Sequence, residues 1–322
     1  MDLDEKKLMT KFQQIEHRRK IQFIVKDTVL VSYPKSGRTW LRMMMAKVLK
    51  EMGHDVSSFE MLPAMHISPF DANDKFGKNL RVVFLYRNIG DVIMSFFWES
   101  LVSDRNGVAV HSPPAKFIRD DKYGLPNIQR FYNLWFKNVE KFQDYMFISY
   151  ETLQADTVSE LYRLLKFLNK TRDMKIWTYD KESEFPAYPN SNPFNTLTHE
   201  KIKNAVEFAK FDNMKKIELA GVDGKDNLLK NYKGNFGNIG IKNEEAKQNA
   251  LNKAHPSLLK WMEENNLNFN NDNGRLRKGK VNDYLNYLSE DDVKYIKYIE
   301  SKINFPSFDL PLDSYVTAQD LL

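Results

Sequence analysis

The chain has no cysteine among its 322 residues. Disulfide scaffolds, thiolate zinc sites and cysteine nucleophiles are therefore excluded. The sequence also has no run of 18 apolar residues, and its first seven residues (MDLDEKK) are charged where a signal peptide would turn apolar. We therefore expect a soluble, cytoplasmic protein with no membrane partner.

Arginine is also scarce, since only 13 of the 48 basic residues are Arg. The 43 acidic residues leave a net charge of +5, which favours an anionic ligand but falls short of a nucleic-acid-coating protein. We therefore expect no nucleic-acid partner. Because Arg provides planar, bidentate phosphate recognition that Lys does not, the positions of its few copies are informative.

Apolar strands alternate with helices along the first half of the chain. The predicted strands cover 28–33, 81–86 and 145–149, and the helices that follow them cover about 39–52, 89–102 and 155–168. Continuous apolar strands that each lead into a helix are typical of a parallel sheet covered on both faces. We predict an α/β fold: a single domain with a central, mostly parallel sheet flanked by helices.

The remaining segments complete the expected organisation. Further helices are predicted over about 199–218 and 289–303, and residues 1–24 form an N-terminal helical extension with a solvated basic end. The proline- and aromatic-rich loop 180–198 fits either an ordered surface loop or a lid. The domain is expected to span 25–305, with a Gly- and Asn-rich insertion at about 221–274 and a C-terminal tail over 306–322.

A short loop follows the first strand and leads into the first helix. Laid on the phosphate-loop pattern G-x-x-x-x-G-K-[ST], it places Gly37 at the second glycine, Arg38 at the lysine and Thr39 at the hydroxyl position. A strand, a tight loop and a helix N-terminus together direct several backbone N–H groups at one anion. The sequence therefore predicts a P-loop-like phosphate site, with further donors from Lys35 and Ser36.

The second strand ends in a cation where nucleoside-triphosphate enzymes usually carry a carboxylate for magnesium. Its last residues are Tyr86 and Arg87. A cation there favours a nucleotide bound by Arg and Lys without a divalent ion, and we assign no metal ligand. The transferred group should carry less charge than a γ-phosphoryl group, and a sulfuryl group fits this description.

Three separated segments carry a resemblance to a known family. They are residues 33–40 (YPKSGRTW), 87–95 (RNIGDVIMS) and 277–279 (RKG). They resemble segments of sulfotransferases that use 3′-phosphoadenosine 5′-phosphosulfate (PAPS), of the cytosolic type and its bacterial relatives. In order, these are the 5′-phosphosulfate loop, the 3′-phosphate segment and the C-terminal Arg-Lys-Gly segment that closes over the 3′-phosphate. The resemblance implies an enzyme that moves a sulfuryl group from PAPS, its co-substrate, to a hydroxyl by in-line transfer without a metal.

The resemblance also implies which residues bind the nucleotide. Arg87 and Ser95 would hold the 3′-phosphate, Trp40 would stack on adenine, and Tyr150 and Phe211 occupy positions similar to the family's other base contacts. Arg38 departs from the family's usual Thr. The full set of implied binding residues is Lys35, Ser36, Gly37, Arg38, Thr39, Trp40, Arg87, Ser95, Tyr150, Phe211, Arg277, Lys278 and Gly279.

Sulfuryl transfer needs a base for the acceptor proton and cations for the developing negative charge. His66 precedes Arg87 by 21 residues, a spacing similar to the family's separation of catalytic His and 3′-phosphate Arg. The resemblance implies that His66 is the base, that Lys35 assists the leaving oxygen, and that Ser95 restrains Lys35. The catalytic residues are therefore expected to be His66, Lys35 and Ser95.

The acceptor is predicted only as a small molecule with a hydroxyl group. Candidate pocket residues are aromatic, although residues 96–98 fit a core equally well. The family's dimerisation motif is not readable in residues 289–299, so a homo-oligomer stays open. The candidates are Phe70, Phe96, Phe97, Trp98, Tyr123 and the 180–198 loop.

Two other functions compete with this hypothesis. A metal-dependent P-loop nucleotide kinase would be stabilised by magnesium–ATP, whereas a sulfotransferase would be stabilised by adenosine 3′,5′-bisphosphate (PAP) without metal. A non-catalytic nucleotide- or RNA-binding module would show steep salt dependence and no sulfuryl transfer.

Overall fold

A computed structural model of the chain describes residues 28–54, 64–66, 69, 72, 79–102, 112–169, 197–220, 252, 254–266 and 279–305. The strands are β1 (Thr28–Ser32), β2 (Ala64–Met65), β3 (Arg81–Tyr86) and β4 (Asp144–Ser149). The helices are α1 (Arg38–Glu51), α2 (Ile89–Val102), α3 (Pro114–Phe117), α4 (Leu125–Asn138), α5 (Tyr150–Ala155), α6 (Thr157–Asn169), α7 (His199–Phe208), α8 (Phe211–Ala220), α9 (Pro256–Glu264) and α10 (Glu290–Glu300). Short 3₁₀ turns cover Val139–Lys141 and Asp283–Asn286.

The four strands form one parallel sheet in the order β2-β1-β3-β4. The chain leaves β1 toward one neighbour, β2, and then crosses to the other, β3. In parallel sheets, ligands bind at the carboxyl ends of the strands where the strand order reverses in this way. The topology therefore points to the crevice beside the ends of β1 and β3.

Both faces of the sheet are covered by apolar side chains, as the continuous apolar strands predict. Alternate residues of β1 and β3, such as Val31 and Phe84, pack with α2, α4, α9 and α10. The intervening residues, such as Leu30 and Leu85, pack with α1, α6 and α7 on the other face. The two layers of helices hold the strand ends in fixed positions for the site.

The predicted α/β fold with a mostly parallel sheet in one domain is confirmed. Three features differ in detail from the sequence predictions. Strand β2 is only two residues long and was not predicted, the helix expected over 199–218 is interrupted at residues 209–210, and α9 lies inside the range expected to be an insertion. The predicted extension 1–24, most of the 180–198 loop and the tail 306–322 lie outside the described residues. Within the part that is described, no helix is long and apolar enough to cross a membrane.

Candidate active site

The loop between β1 and α1 is shaped to present backbone N–H groups. Lys35 and Gly37 both have left-handed backbone conformations, with φ of 74° and 97°. Gly37 is the N-cap of α1 and, as a glycine, has no side chain with which to cap the N–H groups of the first turn. The first turn of α1 also holds no acidic residue. The N–H groups and the positive end of the helix dipole are thus directed at the crevice, where an anion would be stabilised.

Lys35 extends from this loop to helix α2. Its Nζ lies 3.6 Å from Oε1 of Glu99, and both side chains are about nine-tenths buried. The carbonyl oxygen of Lys35 accepts a hydrogen bond of 3.3 Å from Nη1 of Arg87. Lys35 is therefore fixed at both its backbone and its ammonium group.

Arg87 occupies the end of β3 and is 9% exposed. Its guanidinium lies over the ring of Tyr150, with Cζ 4.1 Å from the ring centroid, and Nη2 lies 3.8 Å from a carboxylate oxygen of Asp91. The backbone N–H and carbonyl of Arg87 are both bonded to the hydroxyl of Tyr132. The Nε atom of Arg87 is buried and has no hydrogen-bond partner among the described residues. A buried guanidinium N–H without a protein acceptor is a ready donor for an anionic ligand.

The segment Gly279–Tyr284, which we call the closing segment, is held across this arginine. Nη2 of Arg87 donates to the carbonyl oxygen of Lys280 at 3.0 Å. Asp91 accepts from the backbone N–H groups of Asn282 (2.8 Å) and Tyr284 (3.3 Å). Burial raises the pKa of Asp91, although the adjacent Arg87 and the two N–H groups oppose this effect. Asn88 caps the start of α2, since its Oδ1 accepts from the backbone N–H groups of Gly90 and Asp91.

The predicted base-contact residues come together beside the closing segment. Trp40 and Tyr150 pack with ring centroids 5.6 Å apart, and Nε1 of Trp40 donates to the carbonyl oxygen of Ala209. The Tyr150 hydroxyl donates to the carbonyl oxygen of Gly279 at 3.3 Å, and a Cβ on that glycine would lie 2.7 Å from the ring of Phe211. The aromatic side chains thus line one end of the crevice.

His66 lies directly after β2, at the carboxyl end of the sheet. The pairing of Val31 with Met65 brings its ring to β1, where Nδ1 is hydrogen-bonded to the carbonyl oxygen of Ser32. A carbonyl can only accept, so Nδ1 carries the proton and Nε2 is the unprotonated nitrogen of the neutral ring. Burial and the positive charge of Arg38 hold the pKa of His66 well below its usual range, against the opposing effect of the Ser32 carbonyl. The ring is therefore neutral at neutral pH and able to accept a proton at Nε2.

The other predicted site residues are placed as follows. Ser95 is half-buried on α2, one turn before Glu99. Ser36 is buried in the loop, and Thr39 is half-buried in the first turn of α1. Arg277 and Lys278 lie outside the described residues.

The aromatic candidates for an acceptor pocket are mostly core. Phe97 and Trp98 are buried and pack edge-on or tilted against Trp261 of α9, while Phe96 contacts Tyr33. Tyr123 is half-buried against the same core, and Phe70 lies outside the described residues. The helix α2 therefore uses its aromatic side chains for packing, which was the alternative left open above.

Two functional candidates were missed by sequence reasoning. Glu99 is the single carboxylate between Val92 and Val102 in an otherwise apolar helix, which was the available signal. Gln154 donates from Nε2 to the carbonyl oxygen of Gly279 at 2.8 Å and helps to hold the closing segment. Nothing in the local sequence of α5 distinguishes Gln154 from an ordinary surface residue.

Substitution of Gly37 by alanine should damage both the fold and the site. A Cβ would lie 2.6 Å from the ring of Tyr150, in addition to the strain of φ 97°. Gly53 is a matched control, because its φ is 88° but a Cβ would meet nothing within 4 Å. We expect G53A to cost about 1 kcal/mol of unfolding free energy from backbone strain alone, and G37A to cost about 2–3 kcal/mol. Urea unfolding measures the difference, and equal costs would contradict the close packing of Tyr150 on the loop.

Comparison with known proteins agrees with this geometry. A sequence model described as the sulfotransferase domain matches residues 25–236, which is more than half of the chain. The chain belongs to the sulfotransferase family.

The relatives with curated functions are distant. The chain is 26% identical over 191 residues to sulfotransferase 2A1 of Macaca fascicularis, with 47% of this chain and 62% of the relative covered. It is 22% identical over 228 residues to flavonol 4′-sulfotransferase of Flaveria chlorifolia, with 60% and 64% covered. The match thus spans about three fifths of the length of these relatives.

Solved structures share the fold at low sequence identity. One is mouse sulfotransferase SULT7A1 complexed with PAP, with a TM-score of 0.51, 16% identity and coverage of 87% of this chain and 84% of that chain. Another is retinol dehydratase in a complex with retinol and PAP, with a TM-score of 0.52, 12% identity and coverage of 90% and 84%. At these identities the likeness concerns the fold.

Proposed function

We propose that the protein is a PAPS-dependent sulfotransferase that transfers a sulfuryl group to the hydroxyl of a small-molecule acceptor. The single observation that carries the proposal is the position of Arg87, which ends the strand next to the phosphate loop and bridges that loop to the closing segment. A nucleoside-triphosphate enzyme needs a carboxylate for magnesium at this strand end. A guanidinium there instead provides a second phosphate site on the same nucleotide.

The described residues fit a nucleotide with phosphates at both its 5′ and 3′ positions. The N-terminus of α1, where the N-cap is a glycine, and the loop N–H groups suit the 5′-phosphosulfate. The Nε of Arg87, which has no hydrogen-bond partner in the described part of the chain, suits the 3′-phosphate, which Ser95, Arg277, Lys278 and Gly279 would also contact. Trp40, Tyr150 and Phe211 would enclose the adenine.

The placement of His66 and Lys35 supports the proposed reaction. The acceptor hydroxyl oxygen forms a bond to sulfur while the bond from sulfur to the bridging phosphate oxygen breaks, which leaves a sulfate ester and PAP. Nε2 of His66 takes the acceptor proton, because Nδ1 is bonded to the Ser32 carbonyl and the ring is neutral. Lys35 donates to the departing bridging oxygen and stabilises its developing charge.

The names of the related proteins support a broad class of acceptor. A related enzyme is named for a flavonol, and a retinol dehydratase with the same fold has been crystallised with androsterone and with retinol. We propose an acceptor with a hydroxyl on a largely apolar frame. We further propose that residues 25–305 form the catalytic domain, since the family match begins at residue 25 and the last described helix ends at Glu300.

Ligand-dependent thermal unfolding tests the nucleotide class. PAP at 100 times its dissociation constant should stabilise the protein by about 2.7 kcal/mol in the presence of EDTA, because it binds only the folded state. Magnesium–ATP at the same concentration should stabilise it less. Stabilisation by magnesium–ATP alone would favour a kinase, and a response to neither would contradict the proposed site.

A further inference from the structure

The ion pair between Lys35 and Glu99 joins the phosphate loop to helix α2, in which the residues just before Glu99 are apolar. Glu99 is 8% exposed, and its neighbours Phe96, Phe97 and Trp98 are buried core residues. A carboxylate in such a position is costly unless a cation or a donor compensates it. The ammonium of Lys35, 3.6 Å away, provides that compensation.

The backbone of Lys35 is also fixed, so only its side chain is able to respond to a ligand. Its φ of 74° lies in the left-handed region, and its carbonyl oxygen is held by Nη1 of Arg87. A non-glycine residue in this conformation is typical of a constrained functional loop. The direction in which the side chain leaves the loop is therefore set before any nucleotide arrives.

We propose that Glu99 is a positioning residue that competes with the 5′-phosphate of the nucleotide for the ammonium group of Lys35. The inference rests on the proposed function, and it adds a residue outside the segments that define the nucleotide site. When the 5′-phosphosulfate occupies the loop, Lys35 turns from Glu99 to the ligand, and a buried carboxylate is left beside an anion. Glu99 therefore lowers the affinity for the 5′-phosphate, recaptures Lys35 after transfer, and favours release of the PAP product.

The test compares two nucleotides that differ only in the 5′-phosphate. PAP and adenosine 3′-monophosphate are titrated calorimetrically into the wild type and into Glu99→Gln, which keeps the side-chain volume and removes the charge. We expect E99Q to bind PAP about 10-fold more tightly and to bind adenosine 3′-monophosphate with unchanged affinity. Glu160→Gln is the matched control, because Glu160 is also a buried glutamate in an ion pair, with Arg163, on a helix that packs on the opposite face of the sheet.

A double-mutant cycle shows whether the effect acts through Lys35. In a Lys35→Met background the gain from E99Q should fall to 3-fold or less, because the competition for the ammonium is gone. An equal gain in both backgrounds would mean that the carboxylate acts directly on the phosphate and would overturn the proposal. The aspartate variant E99D keeps the charge at a longer distance from Lys35, so its gain in PAP affinity should be smaller than that of E99Q.

The outcome also separates this proposal from the proposed function. If the wild type binds PAP and E99Q leaves the ratio of the two affinities unchanged, the role of Glu99 is refuted and the nucleotide site stands. If no form of the protein binds PAP, the proposed function itself fails. Should E99Q unfold at the assay temperature, E99D provides the comparison instead, because it keeps the charge at a longer distance from Lys35. A ratio of the two nucleotide affinities shifted toward PAP would support the competition, and an unshifted ratio would refute it.

Discussion

Replacement of Arg87 by methionine should weaken the binding of PAP by about 100-fold, or roughly 2.7 kcal/mol. Charge-assisted hydrogen bonds contribute about 1.5–3 kcal/mol each, and the Nε of Arg87, to which no described residue bonds, is offered to the 3′-phosphate. The substitution also removes contacts to the phosphate loop and the closing segment. The loss should therefore be larger than that of a single surface contact.

The measurement uses the ratio of two affinities, because Arg87 also supports the fold. PAP and adenosine 5′-monophosphate differ in the 3′-phosphate, so their affinity ratio reports on that phosphate and is insensitive to a general loss of stability. The ratio should be large in the wild type and should collapse in R87M. Arg130→Met is the control, since Arg130 is exposed and pairs with Asp121 on the surface. A ratio that survives in R87M would place the 3′-phosphate elsewhere.

Replacement of His66 by glutamine should lower kcat by about 10²–10⁴-fold while the affinity for PAP changes little. The glutamine amide is able to replace the hydrogen bond to the Ser32 carbonyl but is unable to accept a proton. A His255→Asn variant is the control, because His255 caps α9 at an exposed position and Asn also caps helices. Full turnover in H66Q with an intact fold would refute the assignment of the base.

The pH profile of the wild type gives a second test of His66. The base must be neutral, and its folded-state pKa is held well below about 6.5 by burial and by Arg38. We therefore expect kcat/KM to stay level as the pH falls past 6.5 and to decline only in more acidic solution, since this ratio reports the free enzyme. An acid limb at pH 6.5 or above would contradict the buried, neutral ring.

The free energy of unfolding should also depend on pH through the protonation of His66. A histidine with a depressed folded-state pKa stabilises the fold above its unfolded pKa, and this contribution is lost as the pH falls from about 6.5 through the folded pKa. H66Q lacks that contribution, so its unfolding free energy should decline less than that of the wild type between pH 7 and pH 5. Burial raises the pKa of Glu151 and Glu300, which acts in the opposite direction in both proteins and cancels in the comparison.

The sequence predicts the strands and helices that hold the site better than it predicts the contacts between residues that are distant in sequence. Strand β1, the loop and α1 are readable because a continuous apolar strand and a helix flank a single glycine at the cap position. The position of His66 depends on β2, and a strand of two residues has no periodicity to detect. The closing segment is held by Asp91 across more than 190 residues of sequence, a contact that no local pattern contains.

The pairing of Lys35 with Glu99 shows the same limit. The resemblance implies that Ser95 restrains Lys35, which stays a prediction, and the structure adds an ion pair of Lys35 with Glu99 one helical turn further along α2. Whether a residue on this helix meets a loop side chain depends on the angle between the loop and the helix. That angle is set by packing of α2 on the sheet and is absent from the linear sequence.

Sulfuryl transfer itself is the most direct test of the central claim. The protein is incubated in EDTA with PAPS labelled with ³⁵S and a panel of apolar alcohols and phenols, and labelled organic sulfate is separated from inorganic sulfate. We predict a labelled sulfate ester that requires the protein and is lost in the Lys35→Met and His66→Gln variants. Binding of PAP without any labelled product, either from the panel or from a cell extract of metabolites, would contradict the assignment as a sulfotransferase and leave a nucleotide-binding module.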